Sequence, residues 1–288
     1  MLAVTTNQTS TQTSTPLSSV PALASKEKKS FPSILGSALL QCFYHSKQTL
    51  AFIGNVTLGL FQWKKFRWID CLVEMQQCWL SSIPIVSLIS FLVGVILAFQ
   101  SAIQLRQYGA GIFVADLVGL AVVREMGPMM AAIVVAGGTG AGFAAALGNM
   151  RVNEEVDALE TLGISPVDFL VRPRLIAVTI MLPILTLYAN LLGILGGLFV
   201  SSTLLSIPAS AYWIETQNRV GVTDVSIGII KSFVFGIIIA LVGCWRGMQC
   251  GRDTAGVGIA TSSAVVTSIM LIVLGDALFA VIYNALGI

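Results

Sequence analysis

Four ionisable residues lie within or at the ends of long apolar runs, where a charged side chain has little access to water. Lys231 and Asp276 each interrupt an apolar segment, and Arg124 and Glu125 stand together at the start of another. Ionisable side chains at membrane depth are costly and by default mark functional positions. These residue types therefore predict a polar site on a translocation path or, for Lys231 and Asp276, a proton relay.

Other interpretations of these residues stay open on the sequence alone. Lys231 could extend its ammonium group to the outer interface, because long basic side chains near a helix end can reach water. Asp276 could be a polar group satisfied within helix packing. The four side chains could also pair with one another, but the sequence does not give the distances between them.

A second concentration of charge is the stretch MRVNEEVDALETLGISP, residues 150–166, between two long apolar runs. Val156, Leu159 and Leu162 fall on one side of a helix of about three turns, and the acidic residues fall mainly elsewhere. Gly163, followed by a proline, ends this helix. Anionic membrane surfaces attract basic segments, so the acidic face predicts a protein partner with a basic groove. A solvated loop helix is the alternative.

The elements that position all of these residues are membrane-spanning helices. The chain is 56% hydrophobic and only 10% charged, whereas a soluble domain has about 25% charged residues. Several uncharged runs exceed the roughly 20 residues needed to cross a bilayer. The sequence therefore predicts an all-α integral membrane protein with five transmembrane helices, at about 80–104, 126–149, 175–204, 225–245 and 256–284.

The basic residues predict the orientation of these helices. Placing residues 1–80 and the loops 151–174 and 246–253 on one side gives that side twelve of the sixteen Lys and Arg residues. Cytosolic loops carry such an excess. The opposite side then holds three, Arg106, Arg124 and Arg219. The acidic helix and the N-terminus are therefore expected in the cytosol, and the C-terminus outside.

The N-terminal region differs in composition from the apolar remainder of the chain. Residues 1–33 are rich in Ser and Thr and lack an apolar signal segment, which predicts a disordered tail. Residues 34–68 end in WKKFRW, and aromatic residues flanking a basic cluster are typical of an interfacial helix. A soluble linker helix is the alternative. Residues 34–288 are predicted to form one domain.

Several kinds of chemistry find no support in the sequence. There is no Walker A motif, so any ATP must be bound by another chain, and no G-x-S-x-G or H-E-x-x-H motif occurs. One histidine leaves little general acid–base capacity, so an enzyme is not expected. The five cysteines form no C-x-x-C pair, so no metal site is expected. A net charge of +2 with no basic tract argues against nucleic acid.

The glycine-rich stretch GGTGAGFAAALG, residues 137–148, lies inside an apolar span rather than between a strand and a helix. It is therefore not interpreted as a phosphate-binding loop. Gly138, Gly142 and Ala146 form one face of small residues at four-residue spacing. Such faces let helix backbones approach closely in lipid. The spacing predicts helix packing through this face, within the subunit or across a dimer.

Several motifs in order resemble one family. The stretch REMGPMMAAIVVAGGTGAGFAAALGNMRVNEEVDALETLGISPVDFLVRPR is similar to the MlaE/YrbE family of ABC-transporter permeases. That family reads R-E-L-G-P, A-G-R-x-G, A-E-L-G-x-M, E-x-x-D-A-L-x-x-M-G and V-x-P-R in sequence. The segments IKSFVFG and GVGIATSSAVVTSIMLIVLGD resemble its fourth and fifth spans. The resemblance covers about residues 50–288.

The resemblance implies a lipid-transport permease that performs no chemistry itself. Such permeases pair as dimers, bind cytosolic ABC ATPase subunits that hold ATP and Mg, and work with an MCE-domain lipid-binding protein to move phospholipid between membranes. The acidic segment would be the coupling helix that docks on the ATPase. The residues expected to carry the coupling are Glu154, Glu155, Asp157, Leu159 and Gly163. Those that match for an intramembrane lipid cavity are Arg124, Glu125, Lys231 and Asp276.

Two departures from the family pattern stand out. Gly138 replaces the usual Arg of A-G-R, and Ala146 replaces the usual Glu of A-E-L-G. The two positions are eight residues apart on one helix face, and losing both keeps the net charge. A divergent member that works beside a second, non-identical permease would fit, so both a homodimer and a heterodimer stay open.

Two other functions also stay open. A secondary transporter could use Lys231 and Asp276 as an ion relay, although no internal repeat is visible and five spans do not divide into two halves. A non-transporting membrane scaffold is the other alternative. The family occurs in bacterial inner membranes and in plastids, so the expected location is a bacterial inner membrane, with a plastid inner envelope as the alternative.

Overall fold

The computed structural model describes residues 47, 50–57 and 67–287. Within 67–287 the chain is almost entirely helical and contains no β-strand. Five helices in the described residues are long and apolar enough to cross a membrane. We number the helices of this range in chain order: α1 Trp68–Arg106, α2 Gly111–Val152, α3 Glu155–Thr161, α4 Val167–Leu204, α5 Ala209–Arg219, α6 Val222–Met248 and α7 Thr254–Leu286.

The all-α fold with five membrane-spanning helices is confirmed. Each predicted span lies inside one long helix, namely α1, α2, α4, α6 or α7. These helices have 39, 42, 38, 27 and 33 residues, well above the roughly 20 that a bilayer requires. The largest difference is in α2, which begins at Gly111 rather than near 126. A span predicted from hydropathy ends where charged residues begin, but charged residues do not interrupt the backbone hydrogen bonds of a helix. The helix is therefore longer than the predicted span.

The predicted tail at 1–33 lies outside the described residues, as does most of the predicted interfacial helix at 34–68. Residues 50–57 are helical. Phe52 and Val56 are 7% and 1% exposed, and the Phe52 ring lies 4.8 Å from that of Trp245 in α6. This segment therefore packs its apolar side against the bundle.

The core of the bundle lies among α2, α4 and α6. Its largest fully buried apolar side chains are Leu147, Leu182, Leu185, Phe235 and Ile239. The outer helices are much less covered: the most apolar windows of α1 and α7 are only 28% and 11% buried. Their outward faces are apolar, as expected for contact with lipid or with another membrane chain.

Helices α1 and α4 approach each other backbone to backbone. A Cβ atom on Gly94 would lie 1.9 Å from the Gly193 carbonyl oxygen, and one on Gly196 would lie 2.2 Å from the Phe91 carbonyl oxygen. Helices α2 and α6 meet in the same way, because a Cβ on Gly243 would lie 2.7 Å from the Gly140 carbonyl oxygen. Contacts between helices in lipid are enriched in small residues, because these let the backbones approach closely.

We expect Gly94→Leu to destabilise the protein by at least about 3 kcal/mol, because the new side chain has no space beside the α4 backbone. The measurement is the thermal midpoint of the purified protein, followed by fluorescence-detected gel filtration. Gly137→Leu is the matched control, since a Cβ there meets nothing within 4 Å. Equal midpoints for the two variants would contradict the packing described above.

The connections collect at two ends of the bundle. At one end, the Arg151 side chain donates a hydrogen bond to the Met248 carbonyl, and Arg252 in the α6–α7 loop pairs with Asp157 of α3 at 2.9 Å. At the other end, Arg106 donates to the Leu204 carbonyl. Helix α3 and the α6–α7 loop therefore share one end, which we call the α3 end.

Candidate functional site

Three of the four intramembrane residues form one charged cluster. The Lys231 Nζ lies 2.5 Å from a Glu125 carboxylate oxygen and 3.0 Å from an Asp276 carboxylate oxygen. We call these three residues the Lys231 cluster. They come from α2, α6 and α7, so the cluster joins three separate spans. The pairing that the sequence left open is thus present for these three.

The cluster lies deep in the bundle. Lys231 follows the first residue of α6 by nine residues, about 14 Å along a helix axis. Its side chain is 0% exposed, whereas those of Asp276 and Glu125 are 18% and 36% exposed. A lysine that reaches the outer interface would have an exposed ammonium group. The interpretation that Lys231 extends to that interface is therefore wrong. A buried ammonium group needs opposite charges close by, and two carboxylates supply them.

Glu125 connects the cluster to open space. Together with Arg124 it lines a cavity of about 330 Å³. The remaining wall residues are Leu120, Ala121, Ala280, Tyr283 and Asn284. The cavity lies between α2 and α7, combines apolar walls with a few polar groups, and reaches the size of small-molecule sites. A ligand here would contact Glu125 directly and Lys231 only through it.

Arg124 has a different partner from its neighbour. Its guanidinium lies 3.3 Å from a carboxylate oxygen of Asp224, which also accepts the Gly221 backbone N–H at 3.0 Å at the start of α6. Arg124 therefore joins α2 to the first turn of α6. Asp224 was missed by the sequence analysis. Its only local signal is its place three residues after Gly221, the spacing of a helix capping box.

A wide helical turn sets the directions of Arg124 and Glu125. Residues Val122–Met126 form a π-helical turn, in which the Gly127 N–H bonds to the Val122 carbonyl. The next residue, Pro128, has no N–H to continue the α-helical pattern. Such turns change the direction of side chains within a helix and are frequent at functional sites. The proline of the R-E-x-G-P motif is therefore explained by its position directly after the π-helical turn.

The acidic stretch is a separate element at the α3 end. We call residues 152–166 the coupling segment. Glu154 adopts a left-handed backbone conformation, φ 60°, and separates α2 from α3. Helix α3 has seven residues, so the prediction of three turns is wrong and two turns form. The chain changes direction at Asn153 and Glu154. The first of the three helical turns predicted from the spacing of apolar and acidic residues therefore does not form.

Gly163 ends α3 as predicted. It has φ 74°, and its N–H bonds to the Glu160 carbonyl while the Ile164 N–H bonds to the Leu159 carbonyl. This pair of bonds is a Schellman motif, in which glycine adopts the left-handed conformation at no steric cost. Because the helix has already ended, Leu162 turns outward and is 73% exposed. Its predicted place beside Val156 and Leu159 is therefore wrong.

The coupling segment is attached to the bundle by its apolar side. Val156 is 4% exposed and Leu159 packs against the same core, whereas Glu154, Glu155 and Glu160 are exposed. Asp157 differs, because it forms the ion pair with Arg252. The result is an acidic surface with an exposed leucine, held on a rigid base.

Cys250 lies beside this segment, in the α6–α7 loop. Burial raises the pKa of the Cys250 thiol, Asp253 raises it further and Arg151 opposes the increase. The thiol also packs near Gly148 of α2. A thiol with a raised pKa is a weak nucleophile, so Cys250 is most simply a small apolar residue of this loop.

The small-residue face of α2 does not pack against the described part of the chain. A Cβ on Gly138 or Gly142 would meet nothing within 4 Å. These glycines and Ala146 instead line a cavity of about 300 Å³. Close packing within the chain uses Gly140 and Gly148, on the opposite side of the helix. Among the described residues this face therefore makes no close helix contact, and its packing against another helix stays a prediction.

Comparison with known proteins adds a decisive observation to this geometry. A family model described as Permease MlaE matches residues 71–282, which include all seven numbered helices in whole or in large part. The chain belongs to the MlaE permease family.

Relatives of this MlaE permease include two proteins named as probable ABC transporter permeases and one named after a lipid. A probable ABC transporter permease protein of Rickettsia prowazekii is 40% identical over 195 residues, covering 68% of this chain and 75% of the relative. One from Synechocystis is 38% identical over 223 residues, covering 77% and 84%. The Arabidopsis thaliana protein TRIGALACTOSYLDIACYLGLYCEROL 1, chloroplastic, is 33% identical over 223 residues, covering 77% and 63%.

These similarities place the MlaE permease among ABC transporter permeases. They favour that class over the secondary transporter and the scaffold. The residues of the R-E-x-G-P motif, Arg124 and Glu125, are those that the structure places at the cavity beside the Lys231 cluster. The family resemblance and the geometry thus point to the same part of α2.

Proposed function

We propose that this MlaE permease moves phospholipid or a related lipid between membranes, driven by ATP hydrolysis in a separate ATPase subunit. The observation that carries the proposal is the coupling segment. Its apolar side is fixed to the bundle through Val156, and its acidic residues face outward. A rigid acidic surface at the end of a membrane bundle suits docking on a basic groove of an ATPase.

Docking at this surface would reach the Lys231 cluster through two contacts at the α3 end, about 25 Å along α6 from Lys231. Asp157 of α3 pairs with Arg252, and Arg151 at the end of α2 bonds to the Met248 carbonyl. The first contact ties the coupling segment, and the second ties the end of α2 just before it, to the hairpin of α6 and α7. That hairpin carries Lys231 and Asp276, so a shift of α3 would change the geometry of the cluster and of the adjacent cavity.

A lipid is the substrate that best fits this cavity. It lies between α2 and α7, has mostly apolar walls and offers Arg124 and Glu125 as polar groups. Acyl chains are compatible with such walls, and the charged pair would meet the polar part of the molecule. The name of the Arabidopsis relative contains that of a glycolipid, which supports a lipid substrate for this chain as well.

The proposal includes further partners and a location. The exposed apolar faces of α1 and α7 would be covered partly by a second permease copy, identical or not. An MCE-domain lipid-binding protein would stand at the end opposite α3. ATP and Mg would be bound by the ATPase. The chain would lie in a bacterial inner membrane, with a plastid inner envelope as the alternative, since its relatives are named from bacteria and from a chloroplast. The α3 end would face the cytosol.

The proposed complex is tested by purifying the tagged native chain in a mild detergent and identifying co-eluting proteins by mass spectrometry. An ABC ATPase and an MCE-domain protein are expected at amounts comparable with that of the chain. A preparation that contains neither protein, while the chain itself is monodisperse, would contradict the proposed assembly.

We expect Asp157→Arg to lower ATP-dependent lipid transfer roughly fivefold, the ratio for about 1 kcal/mol, because the contact between α3 and the α6–α7 loop is lost. The protein should still fold, since an exposed ion pair contributes about 0–1 kcal/mol. Adding Arg252→Asp restores the pair with reversed charges, and most of the transfer should return. No recovery in the double variant would mean that this contact does not transmit the movement.

A further inference from the structure

A second cavity lies in the half of the bundle nearer to the α3 end. It has a volume of about 300 Å³ and is lined by α1, α2 and the start of α4. Gly138 lies thirteen residues beyond Glu125 on α2, about 20 Å along the helix axis. The second cavity is therefore separate from the one beside the Lys231 cluster. Its polar side chains are Glu74, Gln77, Ser81, Thr139 and Arg174.

One cation and one anion in this cavity are fixed in place. The Arg174 Nε lies 3.2 Å from a Glu74 carboxylate oxygen, and the two side chains are 13% and 20% exposed. Arg174 also donates a hydrogen bond to the Leu170 carbonyl at 3.0 Å, and its guanidinium lies 5.7 Å from the centre of the Phe143 ring. The arginine is thus held on several sides, so it needs little rearrangement to bind a ligand.

Five residues of α2 form one wall of the cavity, and three of them have little or no side chain, whereas Thr139 and Phe143 are larger. Gly138 and Gly142 leave the α2 backbone bare, and Ala146 adds only a methyl group. From Gly138 to Ala146 this wall is eight residues long, about 12 Å. The cavity therefore has space beside the α2 backbone, and its charged pair comes from α1 and α4.

The depth of the cavity suits the polar region of a leaflet. Glu74 follows the first residue of α1, Trp68, by six residues, about 9 Å. Tryptophan is typical of the membrane–water interface. The charged pair thus lies just below the interface on the α3 side, where a lipid could present its headgroup while its chains remain among the apolar residues.

We propose that this second cavity binds the headgroup of a zwitterionic phospholipid from the leaflet on the α3 side. Arg174 would contact the phosphate, since guanidinium groups suit phosphate oxygens, and Glu74 would contact the ammonium group. A lipid with a phosphate but no ammonium group offers Glu74 no contact beyond its ion pair with Arg174 and should bind less tightly. The site goes beyond the proposed function, because its binding requires neither ATP nor a partner subunit.

Two adjacent glycines provide a matched test. Gly138→Leu places a side chain in the cavity at a position where the Cβ atom meets no described residue within 4 Å, and Gly137→Leu makes the same change just outside the cavity. The delipidated native chain and both variants are titrated with POPE and with POPG, and bound lipid is counted by native mass spectrometry. We expect one POPE to bind the native chain and the Gly137→Leu variant, and binding at least about tenfold weaker to Gly138→Leu.

Several outcomes would overturn the site. Equal POPE binding to both leucine variants would mean that the lipid is elsewhere. Equal binding of POPG and POPE to the native chain would contradict the role of Glu74. A changed oligomeric state in Gly138→Leu with unchanged lipid occupancy would assign the cavity to contact with another chain. Thermal midpoints of all three proteins exclude misfolding as the cause of weaker binding.

A second variant tests the charge of the second cavity rather than its free volume. Glu74→Gln keeps the shape of the side chain but removes the anion. We expect the preference for POPE over POPG to fall towards one, because the ammonium group loses its partner. An unchanged preference would contradict the assignment. Failure of ATP-driven lipid transfer in the native chain would contradict the proposed function but leave this binding site intact.

Discussion

Lys231→Met is expected to prevent normal accumulation of the folded protein. The substitution keeps the length of the side chain but leaves Glu125 and Asp276 facing each other without the cation between them. Removing one partner of a buried ion pair costs about 3–5 kcal/mol, which is a large part of the 5–15 kcal/mol of a typical domain. The measurement is the yield and thermal midpoint of the monodisperse protein in detergent.

A rescue variant distinguishes charge balance from loss of lysine as such. Combining Lys231→Met with Glu125→Gln and Asp276→Asn removes all three charges together. This variant should recover most of the yield, since no buried charge then lacks a partner. Lipid transfer should remain absent, because the cavity has lost Glu125. A single variant as stable as the native chain would contradict the role assigned to the Lys231 cluster.

Charge reversal of the coupling segment should release the ATPase. Changing Glu154, Glu155 and Asp157 to lysine replaces three negative charges by three positive ones on the docking surface. Co-purification of the ATPase should fall by at least about tenfold, because like charges across an interface disfavour binding. The chain should remain folded, since Glu154 and Glu155 are exposed and Asp157 forms only an exposed pair.

Glu215→Lys in α5 is the control for this prediction. It also replaces an acidic residue by lysine, but at the end of the bundle opposite the coupling segment. ATPase recovery should match that of the native chain. If the ATPase is retained equally by the triple variant, then the acidic surface of α3 is not where the two proteins meet.

The long spans were predictable because each requires only an uninterrupted apolar run. Their ends were not, since α2 continues through Asp116, Arg124 and Glu125 without losing its hydrogen bonds. The outward position of Leu162 was also unpredictable. Leu162 is exposed because it follows the last residue of α3. The break at Glu154, which shortens α3, was equally unpredictable, since glutamate gives no signal for a left-handed backbone conformation.

The candidate site was predictable in its residue types but not in its pairing. Lys231 and Asp276 are conspicuous because they interrupt apolar runs, and the structure brings them together with Glu125. Asp224 was not found, because it lies in the first turn of α6, where an acidic residue is ordinary. The face of Gly138, Gly142 and Ala146 predicted close packing, yet a face of small residues can equally line a cavity. Sequence spacing does not distinguish the two.

ATP-driven lipid transfer in proteoliposomes tests the central proposal most directly. The complex of this permease with its ATPase is reconstituted, and transfer of labelled phospholipid to acceptor vesicles is followed with ATP, without ATP and under an imposed proton gradient. The proposal predicts transfer only with ATP, and its loss when Glu154, Glu155 and Asp157 are changed to lysine. Transfer that follows the proton gradient and ignores ATP would contradict it and identify Lys231 and Asp276 as an ion relay.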